Sequence, residues 1–397
     1  MDKQEIPEDP SALWEFYSKA GFRPTNLWLD CDTGLDLQDP DSFAILMASM
    51  HPSLKLLGIS TVHGNAPLEN TTYNTLAVLE AIGRRDIPVY SGASKPFCRA
   101  PAHAAAIHGS SGLDGTTLLP NPIMPAQINT SAIEAMYSAL RSSPPQSAWL
   151  VATGALTNVA ILFLLHPDLV SHIAGLSIMG GVVGGGFNEA KLGTKNYGSN
   201  SFGNWTPYAE FNIFCDPEAA HSLFSNPALA AKTTLIPLDI THLVFATESV
   251  RAKLLHGTTA PPSIPASSIS SITRPSVRPL FHEILIFFAT TYAEVFGMTT
   301  GPPLHDPLAV AAVFAPALFR DGRETGERER WSVDVVRDDA IGDVTGSGGK
   351  KGVGQVGRTV ARKVEGDRDG VRIPRGVNVA RFWETVDLCL SRAERMT

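Results

Sequence analysis

Cysteine is scarce: four residues in 397, Cys31, Cys98, Cys215 and Cys389, far apart and with no CxxC pair. That spacing argues against a zinc site and against a disulfide-stapled scaffold, and the four read as reduced thiols. Charge is thin as well, at 18% of residues, with a net charge of −7 and basic residues that are scattered. No stripe of Lys and Arg is available to neutralise a phosphate backbone, so nucleic acid is not an expected partner. No apolar stretch reaches the ~18 residues of a membrane span, and no membrane partner is expected. The opening MDKQEIPEDPSALWEFYSKAG lacks the basic start and apolar run of a signal peptide, so a cytoplasmic location is expected.

What is present is apolar residue: 44% hydrophobic content, enough to bury a substantial core. Apolar runs with strand character occur at 26–30 (NLWLD), 54–62 (LKLLGISTV), 148–153 (AWLVAT), 174–179 (AGLSIM) and 233–237 (TTLIP). Helical composition follows at 42–50, 70–82 and 158–164, and this alternation predicts an α/β fold with a largely parallel sheet flanked by helices. Ligands in such sheets gather at the carboxyl ends of the strands. Two long loops interrupt the pattern, near 180–203 and 257–279, and a charged, Gly-rich stretch near 320–378 reads as an exposed β-rich C-terminal appendage closed by a helix at 379–392. With no internal repeat and no sharp linker, a single domain over 1–397 is expected.

The sharpest local feature is Asp30-Cys31-Asp32-Thr33-Gly34-Leu35-Asp36-Leu37-Gln38-Asp39-Pro40-Asp41, five carboxylates at the end of an apolar strand. Like charges this dense repel unless a cation gathers them, and carboxylate oxygens suit Ca²⁺ or Mg²⁺. The plain alternative is a solvated acidic turn with Asp41 as a helix N-cap. Late in the chain, His305-Asp306-Pro307 precedes an apolar run, a sequence that also describes an ordinary N-cap with proline in the first turn. Phe288, Tyr292 and Phe296 fall four apart on a predicted helix, where a stripe of this kind stacks on a ligand or fills core.

Taken in order, these segments resemble the inosine-uridine nucleoside hydrolase family. The resemblance runs through DCDTGLD, Val62-His63-Gly64-Asn65 with Asn74, His108-Gly109-Ser110-Ser111-Gly112-Leu113, Gly154-Ala155-Leu156-Thr157-Asn158, Met179-Gly180-Gly181, the stretch from Gly203 to Asn212, and His305-Asp306. It implies a Rossmann-like nucleoside hydrolase fold, assembly as a homodimer or homotetramer, and a Ca²⁺ cofactor held by Asp32, Asp41, Asp306 and the backbone carbonyl of Thr157. It implies that Asp36, Asn65, His108, Asn204, Glu210 and Asn212 contact the nucleoside, with Tyr292 as a further candidate at the base. One departure is visible: the family carries adjacent aspartates where this chain separates Asp36 from Asp41 by four residues, and Asp39 is an alternative for either role.

The reaction so implied is hydrolysis of the N-glycosidic bond of a ribonucleoside to ribose and free base, with uridine favoured and inosine or nicotinamide riboside next. Such a bond breaks through a transition state that is positive on the sugar and negative on the leaving base. Asp32 is then the expected general base and His305 the expected proton donor, with His108 as the other imidazole on offer. Two other readings remain at this point: a relative that binds Ca²⁺ and nucleoside without turnover, and a phosphatase built on the strand-terminal DxD.

Overall fold

The computed structural model describes residues 23–34, 40–103, 118–193, 201–257, 277–324, 326–338, 354–365 and 369–397. Asp36, Asp39 and His108 lie outside these residues, as do parts of the two long loops. Six strands make the central sheet: β1 (Thr25–Cys31), β2 (Leu54–Thr61), β3 (Val89–Ser91), β4 (Ala148–Ala152), β5 (Gly175–Met179) and β6 (Thr233–Ile236). They are all parallel, in the order β3-β2-β1-β4-β5-β6. The order reverses between β1 and β4, and in a doubly wound sheet the crevice for a ligand opens at that reversal, outside the carboxyl ends.

The strands read as continuous apolar runs because both faces are covered. Helix α1 (Asp41–Met50) is buried along its whole length, as its apolar composition requires. Helices α2 (Leu68–Ala81), α3 (Ala132–Arg141), α4 (Thr157–Leu165), α5 (Phe211–Cys215), α6 (Pro217–Phe224), α7 (Leu238–Thr241), α8 (Val277–Thr291), α9 (Pro307–Phe314) and α10 (Val379–Met396) are among those that follow. α1 packs against α9 and α10, and an edge-on pair of rings, Phe43 and Phe281, 4.9 Å apart, joins it to α8. Among the described residues no helix is long and apolar enough to cross a membrane.

The C-terminal region differs from its reading as an exposed appendage. Short strands β7 (Phe319–Arg320), β8 (Trp331–Val335), β9 (Thr359–Lys363) and β10 (Gly376–Val377) form two small antiparallel pairs. Alternate residues of β8, Trp331, Val333 and Val335, are buried and join one hydrophobic cluster with Val371, Ile373 and Leu223 of α6. Period-two burial is the signature of a half-buried strand, and the charged flanks hide it in the sequence. Arg375 fixes this region to the loop after β5. Its guanidinium lies 4.3 Å from the Phe187 ring and 5.3 Å from that of Trp331, and it pairs with buried Glu329.

Candidate active site

β1 delivers Asp32 to the crevice, and Asp41 opens α1 beside it; both are wholly buried. The Asp32 N–H donates to Asp41 Oδ2 at 3.1 Å, which brings the two ends of the carboxylate loop together. From the end of β4, the Thr153 hydroxyl donates to Asp41 Oδ1 at 2.6 Å. From the turn after β2, the Asn65 N–H donates to Asp32 Oδ2 at 2.9 Å, with the Asn65 amide 3.4 Å from Oδ1. Two glycines permit this crowding. A Cβ on Gly64 would fall 1.8 Å from Asp32 Oδ2, and one on Gly154 would fall 2.5 Å from Oδ1, so any side chain at either position displaces the carboxylate.

The end of β5 contributes a second group. Glu210 caps α5: its Oε1 accepts from the Asn212 N–H at 2.8 Å, and its Oε2 from Gly181 N–H at 2.7 Å and Ile213 N–H at 3.1 Å. Burial pushes the Glu210 pKa up, against the opposing pull of those N–H bonds. The Asn212 amide donates to the carbonyls of Thr153 at 2.8 Å and Met179 at 3.3 Å. Asn204 Oδ1 accepts from the Phe211 N–H at 3.0 Å. One hydrogen-bonded chain therefore runs Asp41, Thr153, Asn212, Glu210 across the carboxyl ends of β4 and β5.

A third group stands past β6. His305 Nε2 lies 2.9 Å from the Tyr292 hydroxyl and Nδ1 lies 2.8 Å from Thr241 Oγ1, at the end of α7. Tyr292 sits in a buried aromatic cluster, its ring 4.4 Å from Phe288 and 4.6 Å from Phe296, on a π-helical turn that continues α8. The four-residue spacing thus serves core, and one hydroxyl reaches out of it. Burial, then His242, hold the His305 pKa well below its usual range, so the ring is neutral at neutral pH. In a neutral imidazole one ring nitrogen donates and the other accepts, so of the Tyr292 and Thr241 hydroxyls one gives a proton to the ring and the other takes one. Asp306 is buried beside it and makes no side-chain cap bond to α9.

The sequence profile of the inosine-uridine preferring nucleoside hydrolases matches residues 27–384. The chain belongs to this family. It is 35% identical to uridine nucleosidase of Saccharomyces cerevisiae over 376 residues, 94% of this chain and 97% of that one. It is 37% identical over 292 residues to a pyrimidine-specific ribonucleoside hydrolase of Citrobacter koseri, 73% of this chain and 79% of that one. In fold it is similar to a purine-preferring ribonucleoside hydrolase of Gardnerella vaginalis, with a TM-score of 0.70 at 24% identity, covering 93% of this chain and 99% of the other. A plant nucleoside hydrolase aligns with a TM-score of 0.69, also at 24% identity, over 93% of this chain and 99% of that one. The chain is thus an N-glycosyl hydrolase, and the buried polar groups around Asp32 and Asp41 sit where the sheet order reverses.

Within this hydrolase, the hydroxyl of Thr157 is engaged by residues other than Asp32 and Asp41. Thr157 begins α4, and its hydroxyl turns to Asp216 at 2.7 Å and His63 at 3.0 Å. The threonine whose hydroxyl holds Asp41 is Thr153, four residues earlier, directly after β4. Its signal in the sequence is its place as the last residue of the run AWLVAT before Gly154.

The side-chain donors at Asp32, Asp41 and Thr153 are all oxygen, and two wholly buried carboxylates, linked by the Asp32 N–H on Asp41, fit a hard cation. Among the described residues no group of three or more His, Cys, Asp or Glu side chains is already gathered as a metal site, and Asp32 and Asp41 are the two carboxylates the described hydrogen bonds bring together.

Proposed function

We propose that this hydrolase cleaves ribonucleosides in a Ca²⁺-dependent reaction, with uridine preferred and inosine and nicotinamide riboside as further substrates. The buried array of Asp32, Asp41, Thr153, Asn212 and Glu210 carries the reading, since it concentrates oxygen and amide groups suited to a polyhydroxyl sugar. The names of the relatives, a uridine nucleosidase and a pyrimidine-specific hydrolase, support the choice of base. Asp32, Asp41 and Asp306 would hold the cation, with a backbone carbonyl of the β4-to-α4 segment, that of Thr157 or of Thr153 beside Asp41, completing the set. When bound, Ca²⁺ supplies positive charge that orients the ribose hydroxyls and the attacking water.

The chain's own groups divide the remaining work. Asp32 removes the proton from water, and the Asn65 N–H on Oδ2 fixes the direction of the carboxylate. A carboxylate has about four acceptor sites. Three at Glu210 are taken by backbone N–H groups, which leaves a directed site for a ribose hydroxyl. Asn204, Asn212 and Asp36 serve the same sugar. His305, joined to Tyr292 and Thr241, relays a proton to the departing base, with His108 and Asn65 as further contacts of the nucleoside.

Ribose release from uridine and inosine, measured with and without a chelator and after Ca²⁺ is added back, tests the proposal. Uridine is expected to turn over faster than inosine, with release lost on chelation and restored by Ca²⁺. Undiminished release in chelator overturns the metal requirement, and faster release from inosine overturns the base preference alone.

A further inference from the structure

Behind the carboxylates, three loops that carry site residues meet at one buried hydrogen-bonded group. His63 lies in the turn after β2, Thr157 starts α4 and Asp216 follows α5. Their side chains are almost wholly buried. The Thr157 hydroxyl donates to Asp216 Oδ2 at 2.7 Å, and His63 Nε2 lies 3.0 Å from the same Thr157 oxygen. A hydroxyl has one proton to give, and it goes to the carboxylate; Thr157 Oγ1 therefore accepts from His63, which fixes the imidazole as its Nε2–H tautomer. The buried Nδ1 of His63 has no partner among the described residues, so Thr157 is the polar anchor of that ring.

Each arm of the group reaches the site within a few residues. Two positions past His63, the Asn65 N–H holds Asp32, and the intervening Gly64 leaves no room for a side chain beside the same carboxylate. Thr157 lies four residues past Thr153, which holds Asp41. Asp216 lies four residues past Asn212, and its carboxylate also accepts from the N–H groups of Phe97 and Ala219, so it cannot shift to follow a moving partner. We propose that the His63, Thr157, Asp216 relay positions the Asn65 N–H against the Asp32 carboxylate, which makes His63 and Thr157 positioning residues for the hydrolysis. They act through Asn65 and Asp32, not on the nucleoside.

The inference rests on Asp32 acting as the base, and Asp32→Asn separates the two. Thr157→Val keeps the shape and removes the hydroxyl; His63→Phe keeps the ring and removes the donor. Thr157→Ser keeps the hydroxyl, and His63→Gln carries an amide N–H to the place of Nε2. Steady-state kinetics on uridine, normalised to folded protein by circular dichroism, read the outcome. A misplacement well under 1 Å is enough for a loss of about tenfold in kcat with KM moved by less than about threefold, and both Thr157→Val and His63→Phe are expected to show it.

The double variant is expected to be no worse than the worse single one, since both break the same link. Thr157→Ser and His63→Gln are expected to recover most of the lost kcat. Should Thr157→Val fail to fold, His63→Phe against His63→Gln carries the same comparison. Losses that multiply in the double variant, or that follow only the folded fraction, overturn the relay. Wild-type kcat in Thr157→Val and His63→Phe beside an inactive Asp32→Asn overturns the relay and leaves the base assignment standing; an active Asp32→Asn removes the base assignment itself.

Discussion

The two halves of the site are held by different means. In the proposed sugar half, the main chain grips nearly every group: three N–H bonds on Glu210, the Asn65 N–H on Asp32, the Asp32 N–H on Asp41, and strand-end carbonyls on the Asn212 amide. In the proposed base half, side chains hold side chains: Tyr292 to His305 to Thr241, within an aromatic cluster on a helix and its π-helical turn. Strand ends are set by a six-stranded sheet and cannot move without it. A side-chain relay changes with one substitution and leaves the sheet alone. On the proposed assignment, sugar chemistry is tied to the fold, while the preference for a base is free to drift.

Breaking the sugar half is expected to cost most. Asp32→Asn keeps the size of the side chain and its bond from Asn65 but removes the basic oxygen. Turnover of uridine is expected to fall by about 10³-fold or more, in line with loss of a positioned base, with the fold retained by circular dichroism. A variant with near wild-type kcat removes Asp32 from the chemistry. Deleting one hydroxyl from the substrate comes next: 2′-deoxyuridine leaves buried polar groups of the site unpaired, and kcat/KM is expected to drop by about 10²-fold or more relative to uridine. Equal values for the two nucleosides contradict a sugar half built around the ribose hydroxyls.

The contrast also explains what was legible in the sequence. Apolar runs announced β1, β2, β4, β5 and β6 within a residue or two, because strands buried on both faces read as near-unbroken apolar runs. β3, three residues long, is too short to carry such a signal. Glu210 and Asn212 were legible as a spaced set, and the structure ties them together through Glu210's cap of α5. Thr153 and Thr157 flank the same glycine-bearing string, and only the geometry of a strand end against a helix start tells which one meets Asp41. The bond from His63 to Thr157 spans 94 residues, and neither partner's neighbours announce it. The inner face of β8 was hidden for another reason: three buried residues in a five-residue strand are few beside the charge around them.

The smallest effect is expected where the two halves are to be told apart. Tyr292→Phe keeps the ring that packs between Phe288 and Phe296 and removes only the hydroxyl on His305 Nε2. His305 keeps Thr241 at Nδ1, so its position survives while its link outward is cut. One neutral hydrogen bond is worth about 0.5–1.5 kcal/mol, or roughly a two- to tenfold change in kcat/KM. If the relay serves the leaving base, that change differs between uridine and inosine, because their bases present different atoms to it. The ratio of uridine to 2′-deoxyuridine is expected to stay at its wild-type value, since no group of the sugar half is touched. Measuring kcat/KM for the three nucleosides in wild type and variant decides the matter. A shift in the 2′-hydroxyl discrimination as large as the shift between bases would show that the halves are coupled, and an unchanged uridine-to-inosine ratio would take Tyr292 and its hydroxyl out of base selection.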